Sequence, residues 1–285
     1  MSSPYNPQFE PQPLVSGETQ ASVPIDGGAF SSSALPPLIP PLPAKNPVWS
    51  GWDVLVIAVL TVVSVVLLGA VLALGTHLAY PQTSLKDVSP LLAILAQLLA
   101  YVAVAIYMVL MVEGKYHVRF WQAIGWNWPQ RATLKLLGLG VLTVSLDLLS
   151  RYLPMPKNTP FEEIFARPRD AYLLVIFAVS LGPLMEELFF RGFLYPVLAR
   201  RLGIVGGVLL TALPFGLIHY VQYRSWSAVL VVGLVGVVLT VVRVVTKSVA
   251  ASFLVHVGYN GTLMLLAAWA TDGFRHMDKA AVLRF

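Results

Sequence analysis

Seven apolar stretches of roughly 20 residues divide most of the chain and constrain its fold more than any other feature. They lie at about 52–75, 89–112, 133–152, 171–190, 203–222, 226–245 and 248–270. An α-helix needs about 20 apolar residues to cross a hydrocarbon core, and it satisfies its own backbone groups there. We therefore predict an all-α fold, a polytopic transmembrane bundle of about seven helices in a lipid bilayer, with six to eight helices compatible with the pattern.

The composition favours a membrane protein as well. Hydrophobic residues make up 57% of the 285 residues and charged residues 12%, whereas soluble domains have about 25% charged residues. The chain has no cysteine, which excludes thiol catalysis, disulfide bonds and Cys-ligated metals. Its net charge of +5 is not gathered into a basic run, so no nucleic-acid partner is expected. We expect a multi-pass integral protein of the plasma (cell inner) membrane.

The two ends of the chain differ in composition from the apolar part. Residues 1–48 are rich in Pro, Ser, Gly and Gln and end in ALPPLIPPLPAKNP, so we predict a disordered Pro-rich N-terminal tail. Residues 49–275 form the predicted bundle, and residues 276–285 form a short C-terminal tail. The N-terminus lacks the basic and apolar regions of a signal peptide, so the first spanning helix is expected to direct insertion.

Charged and polar residues interrupt the later apolar stretches. A charged residue at the bilayer centre costs about 2.5–3.5 kcal/mol on insertion scales, so each one needs a partner or a function. The residues concerned are Glu186, Glu187 and Arg191 in the fourth stretch and just beyond it, Phe215 and His219 in PFGLIHY, and His256 and Asn260 in HVGYNG. Because the same cost recurs in three helices, a joint functional role is favoured over packing.

Helical spacing pairs two of the charged residues. Glu187 and Arg191 are four residues apart, the distance at which a carboxylate and a guanidinium meet on one helix face, so they can neutralise each other. Glu186 lies about 100° around the helix from Glu187 and has no obvious intrahelical partner. A desolvated carboxylate of this kind holds a proton more tightly than in water and can act as a general base near neutral pH.

His256 and Asn260 are also four residues apart and project to one side of the seventh helix, where His219 would have to meet them. With Glu186 they supply a base, two imidazoles and an amide. These are the groups needed to activate a water molecule and to hold an oxyanion.

Other polar residues are explained more simply by a structural role than by a functional one. Three histidines near helix ends or loops are expected to be hydrogen-bonded packing residues: His77, His117 and His276. Asp147 is expected to make a hydrogen bond between helices, with support of the site as the alternative. The second glutamate pair and the charges beside it are expected on a solvated loop: Glu162, Glu163, Arg167, Arg169 and Asp170.

Three motifs in order, E-E-x-x-x-R, F-x-x-x-H and H-x-x-x-N, resemble those of the CAAX protease and bacteriocin-processing (CPBP, Abi) family of intramembrane proteases. They are matched by Glu186, Glu187 and Arg191, by Phe215 and His219, and by His256 and Asn260, and the resemblance covers about residues 171–270.

The resemblance implies an endopeptidase that cuts a peptide or protein in or at the membrane. In such a protease Glu186 and His219 would activate water, and His256 and Asn260 would stabilise the oxyanion. Glu187 and Arg191, with Phe215, would support the site.

A metal-dependent mechanism is the main alternative. Glu186, His219 and His256 could form a two-histidine, one-carboxylate zinc site, which would make the enzyme a metalloendopeptidase. We favour the glutamate mechanism without a cofactor, because Asn260 is suited to an oxyanion donor and has little to do as a zinc ligand.

Other classes fit the sequence less well. Neither His219 nor His256 belongs to an H-E-x-x-H motif, Asp147 is a single intramembrane aspartate, and the segment around Ser180 lacks a G-x-S nucleophile. A proton-coupled transporter could use the same Glu and His residues, but no paired Gly/Pro-broken segments indicate an inverted repeat. A silent immunity or scaffold protein would not need all three motifs.

Overall fold

The computed structural model describes residues 47–82, 84–154 and 168–276, and all regular secondary structure within these ranges is helical. The helices are, in chain order, α1 (Gly51–Ala79), α2 (Leu85–Leu110), α3 (Phe120–Ala123), α4 (Thr133–Thr143), α5 (Pro168–Val179), α6 (Leu181–Glu187), α7 (Tyr195–Ile218), α8 (Tyr220–Tyr223), α9 (Trp226–Thr246) and α10 (Val249–Ala270). The predicted all-α class is confirmed. The predicted tails fall almost wholly outside the described residues.

Three of the helices continue into a turn of different pitch. α2 runs into a π-helical turn at Met111–Lys115, and α6 runs into another at Leu188–Leu194. α4 tightens into a 3-10 segment at Val144–Tyr152. π-helical turns inside α-helices are rare and occur frequently at functional sites, and the one after α6 contains Arg191.

Six segments of the described residues are long and apolar enough to cross a membrane. One of them, Asp170–Tyr223, has 54 residues and contains two of the predicted stretches, 171–190 and 203–222. A straight helix of that length would measure about 80 Å, far more than a bilayer core of about 30 Å. Gly203 interrupts it with φ 75° and ψ 176°, a conformation open to glycine. Seven apolar stretches and six segments therefore describe the same bundle.

The fourth predicted stretch is not one continuous helix. Ser180, with φ −120° and ψ −80°, separates α5 from α6. Its backbone N–H still bonds the carbonyls of Ile176 and Phe177, and Leu184 N–H bonds the Ser180 carbonyl. The helical dihedral angles are therefore interrupted six residues before Glu186, while backbone hydrogen bonds continue across the break.

Small residues allow the helices around the polar residues to approach closely. α10 packs against α4, and α9 packs against α7. A Cβ added to Gly140 of α4 would lie 2.3 Å from the carbonyl oxygen of Val255 in α10. A Cβ added to Gly236 of α9 would lie 2.8 Å from the Phe215 ring of α7. Close packing through small residues is typical of membrane helices, where apolar burial alone does not hold helices together.

Two apolar clusters enclose the polar residues of α6 and α10. One is built around Phe190, Phe215 and Leu239, and the other around Trp49 and Phe193. The indole N–H of Trp49 donates to the Phe193 carbonyl at 3.1 Å, within the π-helical turn. The start of α1 is thereby held against the turn that carries Arg191.

Candidate active site

Glu187 is the centre of a buried polar cluster. Its side chain has no solvent exposure, and its Oε1 accepts from Arg191 Nη1 at 2.9 Å. The same oxygen lies 3.0 Å from His256 Nδ1, and Ser252 Oγ donates to Oε2. Charge-assisted hydrogen bonds of this kind are the strong ones, and a buried charge needs such partners. The structure thus places Glu187 and Arg191 together, as their spacing predicts.

All three nitrogens of the Arg191 guanidinium donate hydrogen bonds. Nη2 donates to the Gly236 carbonyl at 2.8 Å, and Nε donates to Thr240 Oγ1 at 3.3 Å, both in α9. The guanidinium carbon lies 4.4 Å from the centre of the Phe215 ring, a cation–π distance. Arg191 therefore joins the π-helical turn to α7 and α9, and its charge is compensated by Glu187.

Glu186 differs from its neighbour in access and in partners. Its side chain is 19% exposed, and its Oε2 lies 3.6 Å from Nε2 of His256. That separation is longer than a hydrogen bond, so Glu186 is close to the imidazole without being bound to it. A partly accessible carboxylate can meet a water molecule, whereas the sealed Glu187 cannot.

His256 lies between the two glutamates. Nδ1 faces Glu187 and Nε2 faces Glu186, and the ring is buried in α10. Because the Arg191-paired carboxylate of Glu187 accepts hydrogen bonds, Nδ1 carries a proton, and the state of Nε2 then decides whether the ring is charged. A carboxylate behind the ring fixes its orientation and its tautomer.

Phe215 and His219 end α7 beside this cluster. The buried Phe215 ring is 5.1 Å from the His219 ring and 5.8 Å from the His256 ring, centre to centre. His219 Nδ1 lies 2.7 Å from the Phe215 carbonyl. Since a carbonyl only accepts, Nδ1 carries a proton and donates it to the Phe215 carbonyl. Among the described residues no hydrogen bond or ion pair joins His219 to Glu186 or to His256.

Asn260 is hydrogen-bonded to the backbone at the end of α5, next to the break between α5 and α6. Its Nδ2 donates to the Ala178 carbonyl at 2.7 Å, two residues before Ser180. One of the two amide protons of Asn260 is therefore used on the backbone, which the motif does not predict. The other amide proton and the amide oxygen face the half-buried surroundings of the side chain.

Three partners of the cluster were missed by sequence reasoning: Ser252, Gly236 and Thr240. A signal exists for one of them, because Ser252, His256 and Asn260 follow each other at intervals of four and form a polar stripe along α10. The carbonyl of Gly236 and the hydroxyl of Thr240 carry no such signal, since backbone acceptors and intrahelical threonines occur in any membrane helix.

Asp147 makes the predicted hydrogen bond between helices. Tyr259, in α10, donates its hydroxyl proton to Asp147 Oδ1 at 3.1 Å. Within the described ranges, the second oxygen of Asp147 is buried and has no partner. The residue thus ties the 3-10 segment after α4 to the helix that carries His256 and Asn260.

The remaining predictions about single residues have mixed outcomes. His77, His117 and His276 are exposed at helix ends or in loops, so the prediction that they are packing residues is wrong. Asp170 is buried in the first turn of α5 and not solvated as predicted; a carboxylate there complements the helix dipole. Three residues lie outside the described residues: Glu162, Glu163 and Arg167. Arg169 is described only in its backbone.

The alternative zinc ligands do not come together in this arrangement. Within the described part of the chain, no group of three or more His, Asp or Glu side chains is placed to hold a metal ion. Glu186 and His256 are near each other, but His219 does not join them. The donors as placed therefore do not fit a metal, and metal dependence stays a prediction to be tested by experiment.

Comparison with known proteins agrees with the motifs. Residues 168–262 match the family model described as Rce1-like, type II CAAX prenyl endopeptidase. This segment contains the motif residues from Glu186 to Asn260, and it confirms the resemblance to CAAX proteases. No significant match was found among curated proteins or among solved structures. The family match and the apolar helices support an integral multi-pass membrane protein with the general activity of a CAAX-type endopeptidase.

Proposed function

Because residues 168–262 match the type II CAAX prenyl endopeptidases, we propose that this protein is an intramembrane endopeptidase that hydrolyses a membrane-associated peptide or protein. In this proposal Glu186 and His219 activate water, while His256 and Asn260 stabilise the oxyanion. The observation that carries it is the contrast between two adjacent glutamates. Glu187 is fully buried and paired with Arg191, whereas Glu186 is partly exposed beside His256. We propose the plasma membrane as its location.

The charges of the cluster balance when the site is ready to react. Glu187 and Arg191 cancel each other, and an ionised Glu186 is matched by a protonated His256. A neutral set of four groups is much less costly to bury than a single charge. The pair Glu187–Arg191 thus lets Glu186 be ionised and lets His256 carry a proton on both nitrogens.

Hydrolysis then needs one water molecule and returns the site to its starting state. Glu186 takes a proton from the water, whose oxygen attacks the carbonyl carbon of the scissile bond. The carbonyl oxygen becomes an oxyanion, which accepts hydrogen bonds from His256 Nε2–H and from the Asn260 amide. The proton on Glu186 passes to the leaving nitrogen as the C–N bond breaks, giving a carboxylic acid and an amine.

His219 acts on the same water from the end of α7. Its Nδ1–H is bound to the Phe215 carbonyl, so in the neutral ring the lone pair is on Nε2, which can accept a hydrogen bond. A second acceptor orients the water so that one lone pair of its oxygen points at the carbonyl carbon. This role requires His219 to approach Glu186 when substrate binds, as catalytic hydrogen bonds often tighten only in the complex.

Cleavage of defined peptides by the purified protein tests the proposal. Wild type and Glu186→Gln, both in detergent, are offered a library of membrane peptides that includes matched farnesylated and unmodified CAAX peptides. Products are identified by mass spectrometry. We expect cleavage by wild type and cleavage about 10²-fold to 10⁴-fold slower by Glu186→Gln; equal rates for the two proteins would show that the assignment of Glu186 is wrong.

A second arm of the same experiment tests the metal. Wild type is assayed with and without a zinc chelator, and zinc is added back afterwards. We expect the rate to be unchanged by the chelator, because the donors are not assembled around a metal position. Loss of cleavage that zinc restores would establish the metalloendopeptidase alternative instead.

A further inference from the structure

The carbonyl that holds Asn260 lies in the last turn of α5, beside the break in the chain. α5 ends at Val179, and the last four carbonyls of a helix have no partner within it. The Ala178 carbonyl is one of these four, and Asn260 Nδ2 donates to it at 2.7 Å. The N–H of Ser180 bonds two earlier carbonyls of the same turn. The break therefore leaves a backbone acceptor that α10 can reach.

Pro183 disfavours an unbroken helix across this point. Proline has no N–H to donate to the carbonyl four residues earlier, here that of Val179, and in a regular helix its ring clashes with that carbonyl. In the structure Pro183 is buried in the first turn of α6, where a proline is tolerated, and Ser180 has the non-helical angles φ −120° and ψ −80°. A proline three residues after the break thus keeps α5 and α6 apart as two helices.

Gly261 allows α10 to approach the break closely. A Cβ added to Gly261 would lie 3.7 Å from Cγ1 of Val179, so the backbone of α10 faces the last residue of α5 at van der Waals distance. Small residues at such crossings let membrane helices come close together. Gly261 follows Asn260 directly, and the short asparagine side chain can therefore reach the Ala178 carbonyl.

The bond to Ala178 fixes which edge of the Asn260 amide is presented to the site. A carbonyl only accepts, so the amide nitrogen and not the amide oxygen lies against Ala178. The amide is planar and its nitrogen carries two protons, so holding one proton sets the direction of the other. A flipped amide would place two acceptors against each other.

From this arrangement we infer that Pro183 is a positioning residue, because the break that it maintains supplies the backbone carbonyl that orients the Asn260 amide as an oxyanion donor. The inference rests on the proposed function, since this orientation matters for catalysis only if Asn260 donates to the oxyanion. Pro183 acts through the Ala178 carbonyl and not on the substrate. The device adds α5 to a site whose other residues come from α6, α7 and α10.

Steady-state kinetics of Pro183→Ala test this inference on the library peptide that wild type cleaves fastest. Alanine restores an N–H and favours a continuous helix, in which the Ala178 carbonyl turns back to a helical donor and Asn260 loses its acceptor. We expect kcat to fall about 10-fold to 100-fold while KM changes less than about twofold, because a misoriented donor weakens the transition state and leaves binding intact. The melting temperature in detergent should not fall, since alanine is the better helix former.

A double-mutant cycle with Asn260→Ala shows whether the proline acts through the amide. Asn260→Ala alone should lower kcat about 10²-fold to 10³-fold, the effect of removing one oxyanion donor. Adding Pro183→Ala should lower kcat no further, because the group that the break orients is already gone. Two losses that multiply would show that the break acts elsewhere in the site, and they would overturn the inference.

Pro196→Ala is the matched control. Pro196 lies in the first turn of α7, where Leu194 and Tyr195 before it keep helical angles, so the same substitution joins no separate helices. It should keep wild-type kcat and KM.

Gly261→Val is the second variant and leaves the proline in place. Its branched side chain would push α10 away from the end of α5 and lengthen the bond between Asn260 and Ala178, so kcat should fall as in Pro183→Ala. Gly138→Val is its control on α4, because Gly138 is exposed and a Cβ there would meet nothing within 4 Å. The control should cleave at the wild-type rate.

The outcomes separate this inference from the function on which it rests. If Glu186→Gln slows cleavage but Pro183→Ala keeps wild-type kcat, the role of Pro183 is overturned while the protease remains. A loss of kcat that Pro196→Ala shows equally, or that comes with a lowered melting temperature, also overturns it in favour of a general effect on folding. If wild type cleaves no peptide, the proposed function fails first and the inference fails with it.

Discussion

The Nδ1 atom of His256 lies 3.0 Å from Oε1 of Glu187, and this contact joins residues 69 positions apart in the chain. It sets the orientation of the imidazole, since a ring whose Nδ1 is bound to Glu187 presents Nε2 to Glu186. Glu187 thus acts on the reaction only through its neighbours: it neutralises Arg191 and orients His256. The residue that can meet water is Glu186, beside it in sequence and partly exposed.

Glutamine substitutions should separate the tasks of the two glutamates. Glu186→Gln is expected to fold normally and to lower kcat about 10²-fold to 10⁴-fold, the contribution of a general base. Glu187→Gln leaves Arg191 buried without a counter-charge, and we expect it to lose about 3–5 kcal/mol of stability. Thermal unfolding in detergent and peptide cleavage measure the two effects. A stable but inactive Glu187→Gln would contradict this division of roles.

Ser252→Ala should weaken the support of Glu187. The serine hydroxyl donates to Oε2 of Glu187, and hydrogen bonds to charged groups contribute about 1.5–3 kcal/mol. We expect the free energy of unfolding to fall by an amount in this range. The loss of kcat, expressed as a free energy, should be smaller, because Arg191 and His256 still hold the other oxygen. Thr262→Ala is the control on the same helix; among the residues that the structure describes, its hydroxyl bonds only the Gly258 carbonyl, so unfolding should be nearly unchanged.

Two glycines of α9 should respond differently to alanine. At Gly236 a new Cβ would lie 2.8 Å from the Phe215 ring, whose displacement disturbs the cation–π contact with Arg191. Overpacking of this kind costs about 1–3 kcal/mol. At Gly233, one turn earlier, a Cβ would meet nothing within 4 Å, so Gly233→Ala should be neutral or slightly stabilising. Equal melting temperatures for the two variants would refute the packing argument.

The bond between Asp147 and Tyr259 should matter for stability more than for catalysis. Tyr259→Phe removes a donor from a carboxylate that has no second partner among the described residues. We expect a loss of about 1–3 kcal/mol, the cost of leaving a buried polar group unsatisfied. Tyr259→Phe combined with Asp147→Leu should recover much of that loss. Unfolding of the three proteins under one detergent condition measures it, and failure of the double variant to recover would contradict the assignment.

Local features of the fold and the site were predictable from the sequence. The apolar stretches identify the membrane helices, because a helix in lipid must be apolar along its length and satisfies its own backbone. The pair Glu187–Arg191 follows from a spacing of four. The break at Ser180 and the π-helical turn at Leu188–Leu194 were not predicted, since both depend on the helices packed around α6.

The sequence by itself determined that the chain forms membrane helices and which residues pair within one of them, since both follow from local periodicity. Only the tertiary structure decided that Glu187 is fully buried and that Glu186 can meet water. It also decided that Asn260 bonds the Ala178 carbonyl, 82 residues away, and that Arg191 reaches α9. The physical reason is that such contacts depend on how each helix is rotated about its axis, and packing against neighbouring helices sets that rotation.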